Sequence, residues 1–213
     1  ALTMQCSDAN KEGTLRFSDS ADLTSQITLT SSIDLTATGV TGLMRDDETQ
    51  GNFTGKLDGG NYMLTLDIGD AYGVKANGTT LCTLSNAGCG QIYHHSYLGL
   101  LAKTGNLTGG ISDLTVTGSI QYGLSSQNET WVGGVTAYQD AGTASYQNVT
   151  SNVTVSVTNG DSTKAFKATH VGGFVGAASG SPKLSFNGCG WTGTIQDSAD
   201  TASEVYLGGY IGS

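Results

Sequence analysis

Proline occurs once and charged side chains supply only 13% of this 213-residue chain, and both scarcities exclude whole classes of protein. A disordered polar segment carries more charge and far fewer Val, Ile, Leu and Tyr. Exposed helical faces are filled with Ala, Leu, Glu, Lys and Arg. Here Thr, Ser, Val and Gly stand in those places, which points to an all-β chain. Lys and Arg number nine against eighteen Asp and Glu, a net charge of −9. A nucleic-acid partner requires a basic footprint, and docking on anionic lipid requires the same, so neither is expected. No apolar run approaches the roughly 18 residues of a membrane-spanning helix. No charged-then-apolar leader stands at the front, and Ala1 fits a mature N-terminus left by signal cleavage.

Cysteine is sparse as well. Cys6, Cys82, Cys89 and Cys189 form no C-x-x-C pair and show no zinc-ligand spacing. An even number suits two disulfides in an oxidising compartment. Cys82 and Cys89 are near enough to close a small loop, which leaves Cys6 and Cys189 as the second pair by elimination. The alternative for Cys189 is a small buried core residue.

What the chain has in plenty is glycine, 32 residues of it, and Ser plus Thr at about a quarter of the total. Six N-x-S/T sequons stand at Asn52, Asn77, Asn106, Asn128, Asn148 and Asn152. Chance in this composition yields about two or three, so the excess points toward a secreted, N-glycosylated protein. The plainer alternative is a Thr-rich β protein with accidental sequons.

Internal self-similarity is the most informative feature. Four segments begin alike: Tyr97-Leu-Gly-Leu-Leu-Ala, Trp131-Val-Gly-Gly-Val-Thr, His170-Val-Gly-Gly-Phe-Val and Tyr206-Leu-Gly-Gly-Tyr-Ile. Their aliphatic anchors, Leu98, Val132, Val171 and Leu207, are 34, 39 and 36 residues apart. The first three are followed by a second strand-like segment with alternating Thr or Ser, beginning at Asp113, Asn152 and Cys189. A short alternating strand buries one face and cannot complete a core alone. Stacking one repeat on the next pairs backbone groups and joins the small cores into one column. The recurring Gly-Gly pairs mark corners that forbid a larger side chain.

These features predict a parallel β-helix, a β-solenoid of imperfect repeats about 34–39 residues long, as one domain over 1–213. Residues 1–25 serve as a possible N-terminal cap, 26–96 as divergent turns, and 97–213 as the clear repeats, the last incomplete. The segment from Tyr206 to Ser213 starts a turn without its second strand. Either the protein continues, or another subunit supplies the strand, an arrangement that generates filaments when it does not close.

Val171-Gly-Gly-Phe-Val-Gly followed by Ser185-Phe-Asn-Gly-Cys-Gly-Trp-Thr-Gly-Thr-Ile195 resembles the GLUG-repeat family of extracellular surface proteins, with its G-G-L-V-G and N-C-x-x-x-G-x-V arrangement. Phe53 to Leu66 is similar to the F-x-G-x-L-D-G turn that precedes such repeats in adhesin-type β-helices. The resemblance covers roughly residues 27–213 and is strongest from Leu98 onward. Gly99-Leu100 departs from the double glycine, and Cys189 has no counterpart in the two earlier repeats. The resemblance implies a right-handed β-helix and a cell-surface setting, and it carries no catalytic residues.

Parallel β-helices also host polysaccharide lyases and hydrolases. Glycoside hydrolysis needs two carboxylates about 5–9 Å apart. The acids of the repeats, Asp113, Glu129, Asp140, Asp161, Asp197, Asp200 and Glu204, mostly sit in the inter-repeat loops, no acid pair recurs on the strands, and Arg16 and Arg45 lie outside the repeats. A non-catalytic structural or adhesive protein is therefore expected, secreted or at the cell surface, associating with itself, another extracellular protein or a glycan. A carbohydrate-active enzyme is the main alternative.

Tyr93-His94-His95 reads as a loop, since adjacent strand positions face opposite sides and would not share a metal. Asp46-Asp47-Glu48 reads as a solvated turn, with structural Ca²⁺ as its alternative; no other cofactor is expected. Thr115/Thr117, Thr154/Ser156 and Thr192/Thr194 are expected at like positions. They would then array hydroxyls about 4.8 Å apart between turns, which would also suit an ice-binding face. Trp131, Trp191 and Tyr138 are candidates for stacking on sugars or, equally, for core or cap positions.

Overall fold

Alternation of apolar and polar residues builds every long strand of this protein. The computed structural model describes residues 2–4, 15–17, 24–34, 36, 52–69, 97–107, 109–123, 129–158, 168–198 and 204–213. The chain is all-β, with parallel sheets.

The first parallel sheet contains β6 (Tyr97–Leu98), β9 (Thr130–Gly133), β12 (Thr169–Gly172) and β17 (Val205–Gly208), in the order β17-β12-β9-β6. Leu98 pairs Val132, Val132 pairs Val171, and Val171 pairs Leu207, so the four anchors stand in one file. The second sheet is β13-β10-β7, from β7 (Leu101–Thr104), β10 (Thr136–Asp140) and β13 (Val175–Ser179). The third is the largest. It runs from β14 (Lys183–Asn187) through β11 (Thr143–Thr158), β8 (Gly110–Gly123) and β5 (Lys56–Ile68) to β3 (Gln26–Thr28). On this sheet β4 (Ile33–Asp34) pairs β5, while β15 (Gly190–Trp191) and β16 (Thr194–Asp197) pair β11. Strands β3, β4 and β5 thus join the same parallel sheet as the strands of the clear repeats. Near the N-terminus, β1 (Leu2–Met4) and β2 (Leu15–Phe17) pair antiparallel as a sheet of their own.

Residues 97–123, 130–158 and 169–197 each visit the three sheets in the same order, making successive layers. The long strands β8 and β11 break their alternation at one shared place. In β11 the buried positions are Ala144 and Tyr146, then Val149, Ser151, Val153, Val155 and Val157, so the alternation slips by one residue. Asn148 sits at the slip with φ 53°, Asp113 occupies the same corner of β8 with φ 52°, and Gly188 follows in the next layer with φ 63°. A single left-handed residue turns the strand, and Asp, Asn and Gly tolerate that conformation best. Asn148 Nδ2 donates to Asp113 Oδ1 at 2.7 Å, tying the two corners together.

Leu57, Leu98, Ile111, Val132, Tyr146, Val171 and Phe174 belong to one continuous buried cluster. Polar groups inside it are mostly paired. Gln139 is fully buried, accepting from the Thr104 hydroxyl at 2.6 Å and donating to the carbonyls of Gly105 (2.7 Å) and Ala141 (2.9 Å).

Thr130 and Thr169 offer an internal control. The two are register partners, and both are buried. Thr130 Oγ1 lies 2.7 Å from the buried Tyr122 hydroxyl. Thr169 Oγ1 has no partner among the described residues, because Val157 occupies the position one layer on from Tyr122. Thr130→Val should cost about 1–2 kcal/mol, whereas Thr169→Val should be neutral or stabilising by up to about 1 kcal/mol, since an unpaired buried hydroxyl is removed. Urea unfolding of the two variants checks this; equal losses would contradict the pairing.

Candidate functional site

The file of buried Leu98, Val132 and Val171, continued by exposed Leu207 on the last strand, sends its neighbours to the opposite face, because successive strand residues face opposite sides. Those neighbours are Tyr97, Trp131, His170 and Tyr206, and they form a ladder of rings. Centroids are 4.8 Å apart for Tyr97–Trp131, 6.1 Å for Trp131–His170 and 4.8 Å for His170–Tyr206, with interplanar angles of 12°, 12° and 5°. Tyr138 meets the Tyr97 and Trp131 rings edge-on, and Lys103 Nζ lies 4.8 Å from the Tyr97 centroid. Such contacts contribute roughly 0.5–1.5 kcal/mol per pair beyond burial.

Polar groups pin the ladder from both sides. His170 Nε2 lies 2.6 Å from Glu129 Oε1, and its Nδ1 lies 2.7 Å from the Ser213 hydroxyl oxygen. The Tyr206 hydroxyl donates to Glu204 Oε2 at 3.2 Å. That hydrogen bond and the carboxylate's charge push the Tyr206 pKa up. A second set of rings lies further in. Tyr146 stacks on Phe186, and Phe174 stacks on Tyr210, each at 5.0 Å. Burial pushes the Tyr146 phenol up to about 12, with the Thr136 hydrogen bond opposing.

The expected sugar-stacking aromatics are placed otherwise. Within the ladder Trp131 sits between Tyr97 and His170 with both faces occupied, whereas Tyr206 at the end stacks on His170 with one face and is exposed. Tyr138 is partly buried and donates its hydroxyl to Ser179 Oγ at 2.7 Å. Trp191 packs against the core, and its indole N–H is buried with no partner among the described residues. His170 was missed as a member of this cluster. Its position in Thr169-His-Val-Gly-Gly, matching Trp131 in the preceding repeat, was the available signal.

The outer face of the third sheet is polar, as expected, but its register differs. Thr115 pairs Thr150 and Thr117 pairs Asn152, while Thr154 pairs Ser119 and Thr194. Ser156 pairs Gln121 and Gln196. Thr115/Thr117 and Thr154/Ser156 are therefore not equivalent positions; Thr154 lies four residues beyond Thr150, the register partner of Thr115. The hydroxyl files are interrupted by Asn152, Gln121 and Gln196.

Acidic groups hold layers together. Asp113 accepts from Asn148, Asp140 Oδ2 accepts from Asn52 Nδ2 at 3.0 Å, and Glu129 holds His170. Asp113 and Asp140 lie within β8 and β10 and Asp197 ends β16, while Glu129 and Glu204 stand outside the strands. Among the described residues, no group of three or more His, Cys, Asp and Glu could hold a metal ion. No known protein family, curated protein or solved structure matches the chain.

Cys189 carries a free thiol, and its expected partner Cys6 lies outside the described residues. It packs against the core, with Sγ 3.3 Å from the Tyr146 carbonyl oxygen. Cys6, Cys82, Cys89, Asn77, Asn128, Tyr93-His94-His95, Asp46-Asp47-Glu48, Asp161 and Asp200 lie outside the described residues.

Proposed function

We propose that this chain is a right-handed parallel β-helix, similar to the GLUG-repeat surface proteins, and acts as a non-catalytic structural and adhesive protein outside the cell. The observation that carries the reading is the single file of Leu98, Val132, Val171 and Leu207, with the ring ladder in the same register. Parallel strands joined by crossovers are right-handed in nearly all proteins, which supplies the hand. Carboxylates engaged between layers favour scaffolding over turnover, because a general acid or nucleophile must be open to substrate. A long repetitive surface suits many weak contacts at once, with a glycan, another extracellular protein or a second copy as partner. The six sequons support the extracellular setting.

The test is incubation of the purified chain with insoluble polysaccharides and with extracellular matrix, scoring both retention and released products. Retention on at least one of these with no new reducing or unsaturated ends is expected. Release of such products would establish the enzyme instead, and failure to be retained on any of them would remove the adhesive role.

A further inference from the structure

We propose that Asn152 is an N-glycan acceptor and that Asn52 and Asn148, though equally good sequons, are not; the inference rests on the extracellular reading above. The modification joins the anomeric carbon of a sugar to the asparagine Nδ2. The nitrogen loses one proton, the bond from that carbon to a lipid-pyrophosphate carrier breaks, and the pyrophosphate leaves with its electron pair. The donor is thus a lipid-pyrophosphate-linked oligosaccharide, and the folded chain must leave room around Nδ2 for its first sugar.

Asn152 meets that condition. It is exposed on the outer face of β11, where its register partner is Thr117. Its backbone carbonyl accepts from the Thr117 hydroxyl at 3.3 Å, and its carboxamide has no hydrogen-bond partner among the described residues. Buried Ser151 and Val153 flank it and hold the strand, so the side chain is directed away from the core.

Asn148 lies only four residues away and fails. Its Nδ2 is committed to Asp113 Oδ1 at 2.7 Å, along the direction in which layers stack, and its backbone holds φ 53° at the corner. A sugar on that nitrogen must either sit between two layers or swing the carboxamide off Asp113. Asn52 fails for a related reason. It is half-buried, its Nδ2 donates to Asp140 Oδ2 at 3.0 Å, and Gly105 packs against its side chain. Chains glycosylated early at either position would lose an interlayer contact on folding, so the secreted population is depleted of them.

The experiment expresses the whole chain behind a secretion signal in a glycosylating eukaryotic host. Glycopeptides of the secreted, folded protein are then mapped by enzymatic deglycosylation in heavy-oxygen water and mass spectrometry. The expected result is heavy-oxygen label at Asn152 and little at Asn52 or Asn148. Thr154→Ala, which destroys the Asn152 sequon without touching the asparagine, should remove the mass of one glycan. Thr150→Ala, which does the same to Asn148, should leave the mass of attached glycan unchanged. Occupancy of Asn148 or Asn52 at or above that of Asn152 would overturn the assignment, as would a folded, secreted chain with Asn152 bare. Because the host supplies secretion, failure here is separate from failure of the adhesive reading, which the retention assay decides.

Discussion

Replacing Gly172 with alanine should cost more than about 4 kcal/mol, a large part of the 5–15 kcal/mol that holds a typical domain together. Gly172 is buried at the end of β12, where the chain turns from the first sheet into the second. A Cβ there would land on the Val175 carbonyl oxygen, and it would also crowd the Gly212 nitrogen. Both obstacles are backbone, so no side chain can swing aside. Gly133 faces the Thr136 carbonyl in the same way, and Gly208 faces that of Ile211. The three glycines are register partners in one file, so a displacement in one layer presses on the next. Thermal and urea unfolding followed by circular dichroism measure the effect. Gly190→Ala is the matched control, because a Cβ at Gly190 meets nothing within 4 Å and should change stability by less than about 1 kcal/mol. A Gly172→Ala protein as stable as that control would mean the corner is not built as described.

Gln139→Leu should destabilise by about 3–5 kcal/mol although it nearly conserves volume. The side chain is fully buried and serves three backbone or side-chain groups, Thr104 Oγ1, the Gly105 carbonyl and the Ala141 carbonyl. Leucine would strand the Thr104 hydroxyl and the Gly105 carbonyl away from water, while exposed Ala141 can turn to solvent, and each stranded group costs about 1–3 kcal/mol. The Thr104 hydroxyl comes from the preceding layer, since Thr104 and Gln139 are register partners. A double-mutant cycle with Thr104→Val therefore reads the interlayer share: the double variant should lose less than the two single losses added together. Strict additivity of those losses would show that the two residues do not act as a pair.

Several structural details were present in the sequence without being separable from it. The recurring ring–aliphatic–Gly–Gly pattern announced the file of anchors, because an alternating strand dictates which neighbour faces in and which faces out. The ring ladder follows from the same alternation, yet His170 among aromatics disguised it. The corner at Asp113, Asn148 and Gly188 was written as a one-residue slip in alternation at a residue tolerant of positive φ. The Thr array failed for the complementary reason. Thr115-Val-Thr and Thr154-Val-Ser look alike locally, but the strand pairing places Thr150 and Asn152 opposite Thr115 and Thr117. At Cys189 core packing and a nearby carbonyl hold the thiol, contacts no cysteine count reveals.

By itself the sequence determined the all-β class, the repeat and the residues that face inward, since all three depend on local alternation and composition. Which residues meet across layers was decided only in three dimensions. Parallel strands are paired through connections tens of residues long, and a shift along the ladder changes every partner without altering any local pattern. That is why four anchors came out in file while the hydroxyls between them did not, and why two sequons four residues apart have different surroundings.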